Sequence, residues 1–256
     1  AGCHLDAAGR KLRLGGGGAN TAIPLRHAGH EVALVAPVGG DDVAEWLLAK
    51  LQGAGIDVAA VVRVPGGSTR SIVLVDPGGE RTIVNLHRCR ETGPPDRLAA
   101  LEADAIYVRS RDLDVTALLA EAAARSLVVA HVPPLETGSR PAHVLVGSES
   151  DLPAEFLADP WAAGREIAGL ALRLVVVTRG ERGAEAYGAS EHESVQAPHV
   201  TVVDSTAAGD VFAAGLVHAL AEGRPTRAAL ETAVAWGAAA VACPGVPSRE
   251  TIQGLL

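Results

Sequence analysis

The 256-residue chain has no methionine, and its three cysteines, Cys3, Cys89 and Cys243, are odd in number and far apart. Without a Cys-x-x-Cys pair there is neither a disulfide framework nor a zinc knuckle. The thiols fit a reducing compartment, so a cytoplasmic location is expected. Long hydrophobic runs are missing too. The longest, Ala233 to Cys243, is too short to cross a bilayer, and no basic segment followed by an apolar one opens the sequence. A soluble chain with no membrane partner is expected. Lys and Arg are scattered and the formal net charge is -8, which excludes the basic stripe that nucleic acid demands. Total absence of methionine fits a chain from which residues have dropped out, so spacings are read within short windows, and least of all between Asp6 and Gly15.

What is present is β-α alternation on a chain long enough to bury a full core, so a single α/β domain over 1–256 is the default. Glu31 to Val38 reads as a strand ending in Gly39-Gly-Asp-Asp42, and Val43 to Ala54 as an amphipathic helix closed by Gly55. Helix and strand patterns resume at Pro95–Ala103, Ala105–Val108, Thr116–Arg125, Leu127–Val132, His143–Gly147, Pro160–Leu170, Leu174–Thr178 and Thr226–Ala242. Near-continuous apolar strands predict a mainly parallel sheet covered on both faces, with ligands at the carboxyl ends of its strands. Ser148-Glu-Ser-Asp151 and Thr178-Arg-Gly-Glu-Arg-Gly183 fall at such ends.

From Val58 to Leu86 the texture changes. Three β-rich runs, Val61–Val64, Ser71–Val75 and Arg81–Asn85, are separated by Pro65-Gly-Gly67 and Asp76-Pro-Gly-Gly79. Turn chemistry without intervening helices predicts antiparallel strands outside the parallel core, a flap able to cover a substrate.

Two stretches carry chemistry. Asp204-Ser-Thr-Ala-Ala-Gly-Asp210 leads from a β-like apolar segment (Val200, Val202, Val203) into an apolar helix. The first amides of a helix lack partners and sit at the positive end of its dipole, so main chain around Ala207, Ala208 and Gly209 suits a phosphate. A carboxylate beside an anion site repels the anion unless it has a task. For Asp210 the task is to take a proton from an attacking hydroxyl, against the plainer role of a first-turn acid. Gly15-Gly-Gly-Gly-Ala-Asn20 lets a ligand lie against bare main chain, with a helix from Thr21 to His30, Pro24 tolerated near its first turn, and Asn20 as cap or ligand contact. A dinucleotide-binding loop is the rival, but its third glycine is missing where Asn20 stands. His27 and His30 share a helical face without acidic or Cys partners, which fits solvated positions better than a metal site. Arg81, Arg88, Arg90 and Arg109 have the forked guanidinium that suits a phosphorylated substrate, yet scattered arginines are usually surface residues. They leave the acceptor open.

Asp-Ser-Thr-Ala-Ala-Gly-Asp resembles the D-T-x-G-A-G-D signature of the ribokinase-like (PfkB) carbohydrate kinases, and Gly-Gly-Gly-Gly-Ala-Asn resembles their G-G-x-x-x-N segment. The resemblance covers essentially the whole chain. It implies a three-layer α/β/α fold with a small projecting β-sheet lid, formed mainly by about 58–86 with 7–14 as a further contributor. It also implies ATP-dependent phosphorylation of a sugar-like hydroxyl, with Asp210 as base and the amides of Ala208, Gly209 and Asp210 as anion hole. By the same resemblance Asp6, Gly17, Gly18 and Asn20 bind substrate, and Thr178, Gly180, Gly183, Trp236 and Gly237 meet the nucleotide. Glu149 and Asp151 handle Mg2+, while Asp204, Thr206 and carbonyls near Gly245 are positions for K+. Ser148-Glu-Ser-Asp151 departs from the family's N-x-x-E, and Trp236 stands where an Asn is common. Those departures keep alive a catalytically degenerate sugar- or nucleoside-binding module, and the glycine cluster keeps a dinucleotide-dependent oxidoreductase as a distant alternative. A homodimer through the lid edge is a further expectation.

Overall fold

In the computed structural model, residue 9 and residues 12–75, 81–110, 115–134 and 139–256 are described. Asp6, with Cys3 and His4, lies outside the described residues, as do residues 7, 8, 10 and 11.

Six strands form the main sheet: β5 (Ala105–Val108), β6 (Leu127–His131), β7 (Val144–Ser148), β8 (Leu174–Thr178), β9 (Ala184–Tyr187) and β10 (His192–Val195). Their spatial order is β10-β9-β8-β7-β6-β5; β5 to β8 are mutually parallel, and β9 and β10 return antiparallel at one edge. Successive side chains on a strand point to opposite faces, so β-branched residues in unbroken runs fill two cores at once. Val128, Ala130, Leu145, Val175 and Val177 face one core, shared with α3 (Thr116–Ala122), α4 (Ala154–Ala158) and α5 (Pro160–Ala168). Val129, Val144, Val146, Leu174 and Val176 face the other, shared with α6 (Ala208–Ala221) and α7 (Thr226–Val241). Three layers result, and each fully buried valine or leucine contributes about 1.5–3 kcal/mol relative to an exposed one.

The amino-terminal part adds α1 (Gly17–His27), β1 (Ala36–Val38), α2 (Asp42–Gly53), β2 (Val61–Arg63), and the hairpin strands β3 (Arg70–Val75) and β4 (Arg81–His87). The expected strand at Glu31–Val38 shrinks to β1. The flap is also smaller than expected: Val61–Arg63 belongs to a β1-α2-β2 crossover and pairs parallel with β1, whereas β3 and β4 alone are antiparallel. Helix α2 lies between β1 and β2, and a parallel pair needs such a crossover. The Pro95–Ala103 helix is a 3-10 turn at Asp96–Ala100, and residues 196–203 form no strand, with Val202 and Val203 exposed.

Helix α1 begins four residues before the expected Thr21, at Gly17, and Pro24 lies inside it. Proline has no N–H, so the Asn20 carbonyl lacks its usual donor one turn on. Helix α6 packs on both α1 and α7 and is buried continuously from Val211 to Ala219. A short α8 (Arg249–Gln253), capped by Ser248, closes the chain against α1.

Candidate active site

Ala207 precedes α6 without any side-chain cap. The Val211 N–H donates to the Ala207 carbonyl at 2.9 Å and the Ala208 N–H to Ser205 at a long 3.4 Å. Among the described residues, the N–H groups of Gly209 and Asp210 have no acceptor. The space over Gly209 is open: a Cβ built there meets no atom within 4 Å. Small side chains at 207–209 therefore leave a helix start whose amides face space wide enough for an anion.

Asp210 stands in this first turn with its side chain 13% exposed. Asn20 Nδ2 donates to its Oδ2 at 2.9 Å, Arg109 Nε donates to its Oδ1 at 3.2 Å, and Thr21 Oγ1 donates to its backbone carbonyl at 3.2 Å. Asn20 is not a cap: it lies inside α1, where Gly16 is the N-cap residue, and its amide turns to the carboxylate. Arg109 follows the last residue of β5, at the carboxyl end of the edge strand on the parallel side of the main sheet. Its side chain crosses Gly17, where a Cβ would approach Arg109 Cγ to 2.5 Å. Glycine at 17 is thus what lets the guanidinium reach Asp210. Gly18 instead faces Leu34 in the small core under α1. Tyr107, two residues before Arg109, has its phenol pushed far up by burial, so its hydroxyl stays neutral. Residue types alone gave no signal for the Arg109 and Thr21 contacts, because both pairings span more than a hundred residues of chain.

The second group surrounds the carboxyl end of β8. Thr178 Oγ1 donates to the Gly147 carbonyl at 3.4 Å, and Gly180 takes φ +58° in the loop that follows. At Gly183, φ is +90° and a Cβ would overlap the Val195 carbonyl oxygen, so this glycine lets β9 and β10 meet. Arg179 pairs with Glu185 at 2.9 Å and donates to the Tyr187 hydroxyl at 3.1 Å. Burial, then the Glu185 contact, pushes the Tyr187 hydroxyl up to about 12.

Trp236 departs from its expected place. It is 0% exposed, packed over Gly215 and stacked on His218 with centroids 5.3 Å apart, so its ring has no surface for a nucleotide. Its neighbour Gly237 approaches the start of α6 instead: a Cβ there would lie 3.5 Å from the Ala208 carbonyl.

Glu149 is ion-paired to Arg179 at 3.6 Å and to Arg182, while Asp151 is exposed on a 3-10 turn. Among the described residues no three His, Cys, Asp or Glu side chains cluster to hold a metal ion. His27 and His30 part company, His27 Nδ1 meeting the Pro247 carbonyl at 3.1 Å and His30 Nε2 meeting His218 Nδ1 at 2.8 Å. Asp204 holds the Thr206 N–H at 2.9 Å and its hydroxyl, and pairs with Arg13 at 2.9 Å. The Val203 and Asp204 N–H groups converge on the Val241 carbonyl at 2.9 and 3.2 Å, so this carbonyl already has two donors.

Residues 3–251 match the pfkB family carbohydrate kinases. The chain is 29% identical to an ATP-dependent ribose-1-phosphate kinase of Halopiger xanaduensis, over 98% of this chain and 88% of that one. A 1-phosphofructokinase of Rhodobacter capsulatus is 27% identical over 97% of this chain and 86% of its own. The fold is that of ribokinase from Cryptococcus neoformans, solved with ADP, at a TM-score of 0.80 and 22% identity, covering 100% of this chain and 92% of that structure. No helix among the described residues is long and apolar enough to cross a membrane. With a three-layer fold, a carboxylate in the first turn of an uncapped helix and a match along nearly its whole length, the chain belongs to the pfkB family of carbohydrate kinases.

Proposed function

We propose that this chain transfers the γ-phosphoryl group of ATP to a hydroxyl of a sugar or sugar-like acceptor, with Asp210 as general base. The observation that carries the reading is the adjacency of the Asp210 carboxylate to the unpartnered amides of Gly209 and Asp210. The relatives named for phosphorylating ribose 1-phosphate and for 1-phosphofructokinase activity, and the ADP-bound ribokinase, support ATP as donor and a sugar as acceptor.

On this reading the acceptor oxygen attacks the γ-phosphorus in line as its proton passes to Asp210, and ADP leaves as the bond to the bridging oxygen breaks. The α6 amides stabilise charge on the transferring group. Asn20 orients the carboxylate, with Asp6 and Gly17 as acceptor-binding residues, whereas Gly18 packs on Leu34. Thr178, Gly180, Gly183 and Gly237 lie on the nucleotide side. Glu149 and Asp151 are the residues that would hold Mg2+ beside the nucleotide, and the ion would supply positive charge to offset the phosphates. Asp204, Thr206 and the carbonyls near Gly245 are the positions that would hold K+. The β3–β4 hairpin acts as the lid and as a homodimer surface: Ile72, Val73, Leu74, Ile83, Val84 and Leu86 are 42–60% exposed on one two-stranded sheet. The cysteine pattern supports a cytoplasmic setting.

Acceptor-dependent ADP release over a panel of sugars, nucleosides and phosphosugars tests the reading. Turnover abolished in Asp210→Asn supports it; wild-type turnover in that variant overturns the base assignment.

A further inference from the structure

We propose that Arg109 reads the acceptor: it binds the phosphate of a phosphorylated sugar and, in doing so, releases Asp210. The catalytic half of this proposal rests on the kinase reading above; the binding half does not.

Arg109 Nε donates to Asp210 Oδ1 at 3.2 Å, while among the described residues its two terminal nitrogens have no hydrogen-bond partner. One edge of the guanidinium is on the base, and its two-nitrogen fork is available. Its side chain is 37% exposed, against 13% for Asp210, and it stands just past the carboxyl end of β5, the edge strand on the parallel side, on the side of the sheet where ligands of such folds bind. Among the described residues, two other arginines of the amino-terminal part are committed elsewhere, Arg13 to Asp204 at 2.9 Å and Arg70 to Asp41 at 3.5 Å.

With Arg109 on Oδ1 and Asn20 on Oδ2, each oxygen of Asp210 already faces a donor. A hydroxyl must then compete for the carboxylate against a charge-assisted bond. Of the two donors, Arg109 is the one able to move: it is long and partly exposed, whereas Asn20 is 8% exposed inside α1. A neutral sugar has nothing with which to draw a guanidinium off a carboxylate. A phosphate monoester does, because it brings up to two negative charges and oxygens spaced for the fork. A sugar acid would only match the charge Asp210 already supplies. The acceptor's own anion thus uncovers the base, and a molecule lacking it meets a covered one.

The test is calorimetric binding of pentose and hexose monophosphates, the matching free sugars and sugar acids, with acceptor-dependent ADP release measured in parallel. The wild type is expected to bind a phosphosugar at least about 100-fold more tightly than its free sugar, and Arg109→Gln to lose that preference. Arg109→Lys, which keeps the charge but not the fork, recovers part of it. Asp210→Asn is expected to bind the phosphosugar about threefold to tenfold more tightly than the wild type, because the guanidinium loses its competitor; a merely structural arginine would give no such rise. In turnover, Arg109→Gln raises KM for the phosphosugar about 100-fold and increases the rate on the free sugar. The proposal is overturned if no monophosphate binds better than its free sugar, if sugar acids bind best, or if Arg109→Gln weakens charged and neutral acceptors equally. Absence of ADP release with the binding pattern intact would instead discard the kinase reading and leave Arg109 as an anion-binding residue.

Discussion

Asn20 Nδ2 lies 2.9 Å from Asp210 Oδ2, a hydrogen bond between residues 190 positions apart that ties the first turn of α1 to the first turn of α6. If Asp210 is the base, as proposed, its orientation depends on the packing of two helices from opposite ends of the chain. Asn20→Ala removes the donor without touching the carboxylate, and kcat is expected to fall about 10- to 100-fold with nucleotide affinity retained. Steady-state kinetics beside a nucleotide-binding assay check both halves. A lowered kcat together with lost folding would assign Asn20 to packing instead.

On the proposed reading, Asp210→Ala takes away the proton acceptor itself. About 100- to 10,000-fold of turnover should disappear. Circular dichroism and nucleotide binding should stay those of the wild type, since α6 is held by its buried face from Val211 onward.

Gly183→Ala tests architecture rather than chemistry. With φ at +90° and the Val195 carbonyl oxygen in the way, the alanine must distort the β9–β10 edge. A loss of about 2 kcal/mol or more is expected from urea denaturation.

Acid should destabilise the fold through histidines. Burial holds His143 and His218 below their ordinary value of 6.5, and His27 is lowered for the same leading reason. His143 Nδ1 accepts from the Val128 N–H at 3.1 Å, a bond that protonation of that nitrogen would break. The unfolded chain takes up protons near 6.5 while the folded chain resists, so stability is whole above that pH and declines below it. Thermal melting at about pH 7.5 and about pH 5.5 should show the fall, and His218→Gln should flatten it.

The hairpin predicts self-association. Ile83→Lys places a charge among side chains that are 42–60% exposed, and light scattering should move from a dimer mass to a monomer mass. A monomeric wild type would remove the dimer from the proposal.

The parts of this molecule that were legible beforehand are local ones. Valine runs such as Leu174–Thr178 declare a strand buried on both faces because nothing else keeps such a run out of water. The small residues before Asp210 declare an open helix start because amide exposure is decided within one turn. What escaped was set by distant partners. Val61–Arg63 looks like a flap strand until β1 is beside it, and Trp236 looks available until His218 and Gly215 cover it. Arg109 was one scattered arginine among four, and only the fold brings it over Gly17 to the carboxylate.

Helix α6 has no wet side from Val211 to Ala219, whereas the arginine that meets its acid arrives from the end of β5. On the proposed roles, phosphoryl-transfer geometry and acceptor choice are carried by separable pieces of chain. An engineer seeking a new acceptor can vary position 109 and the hairpin while leaving α6 untouched, and the same partition gives natural variants a route to new substrates that does not begin by dismantling the old reaction.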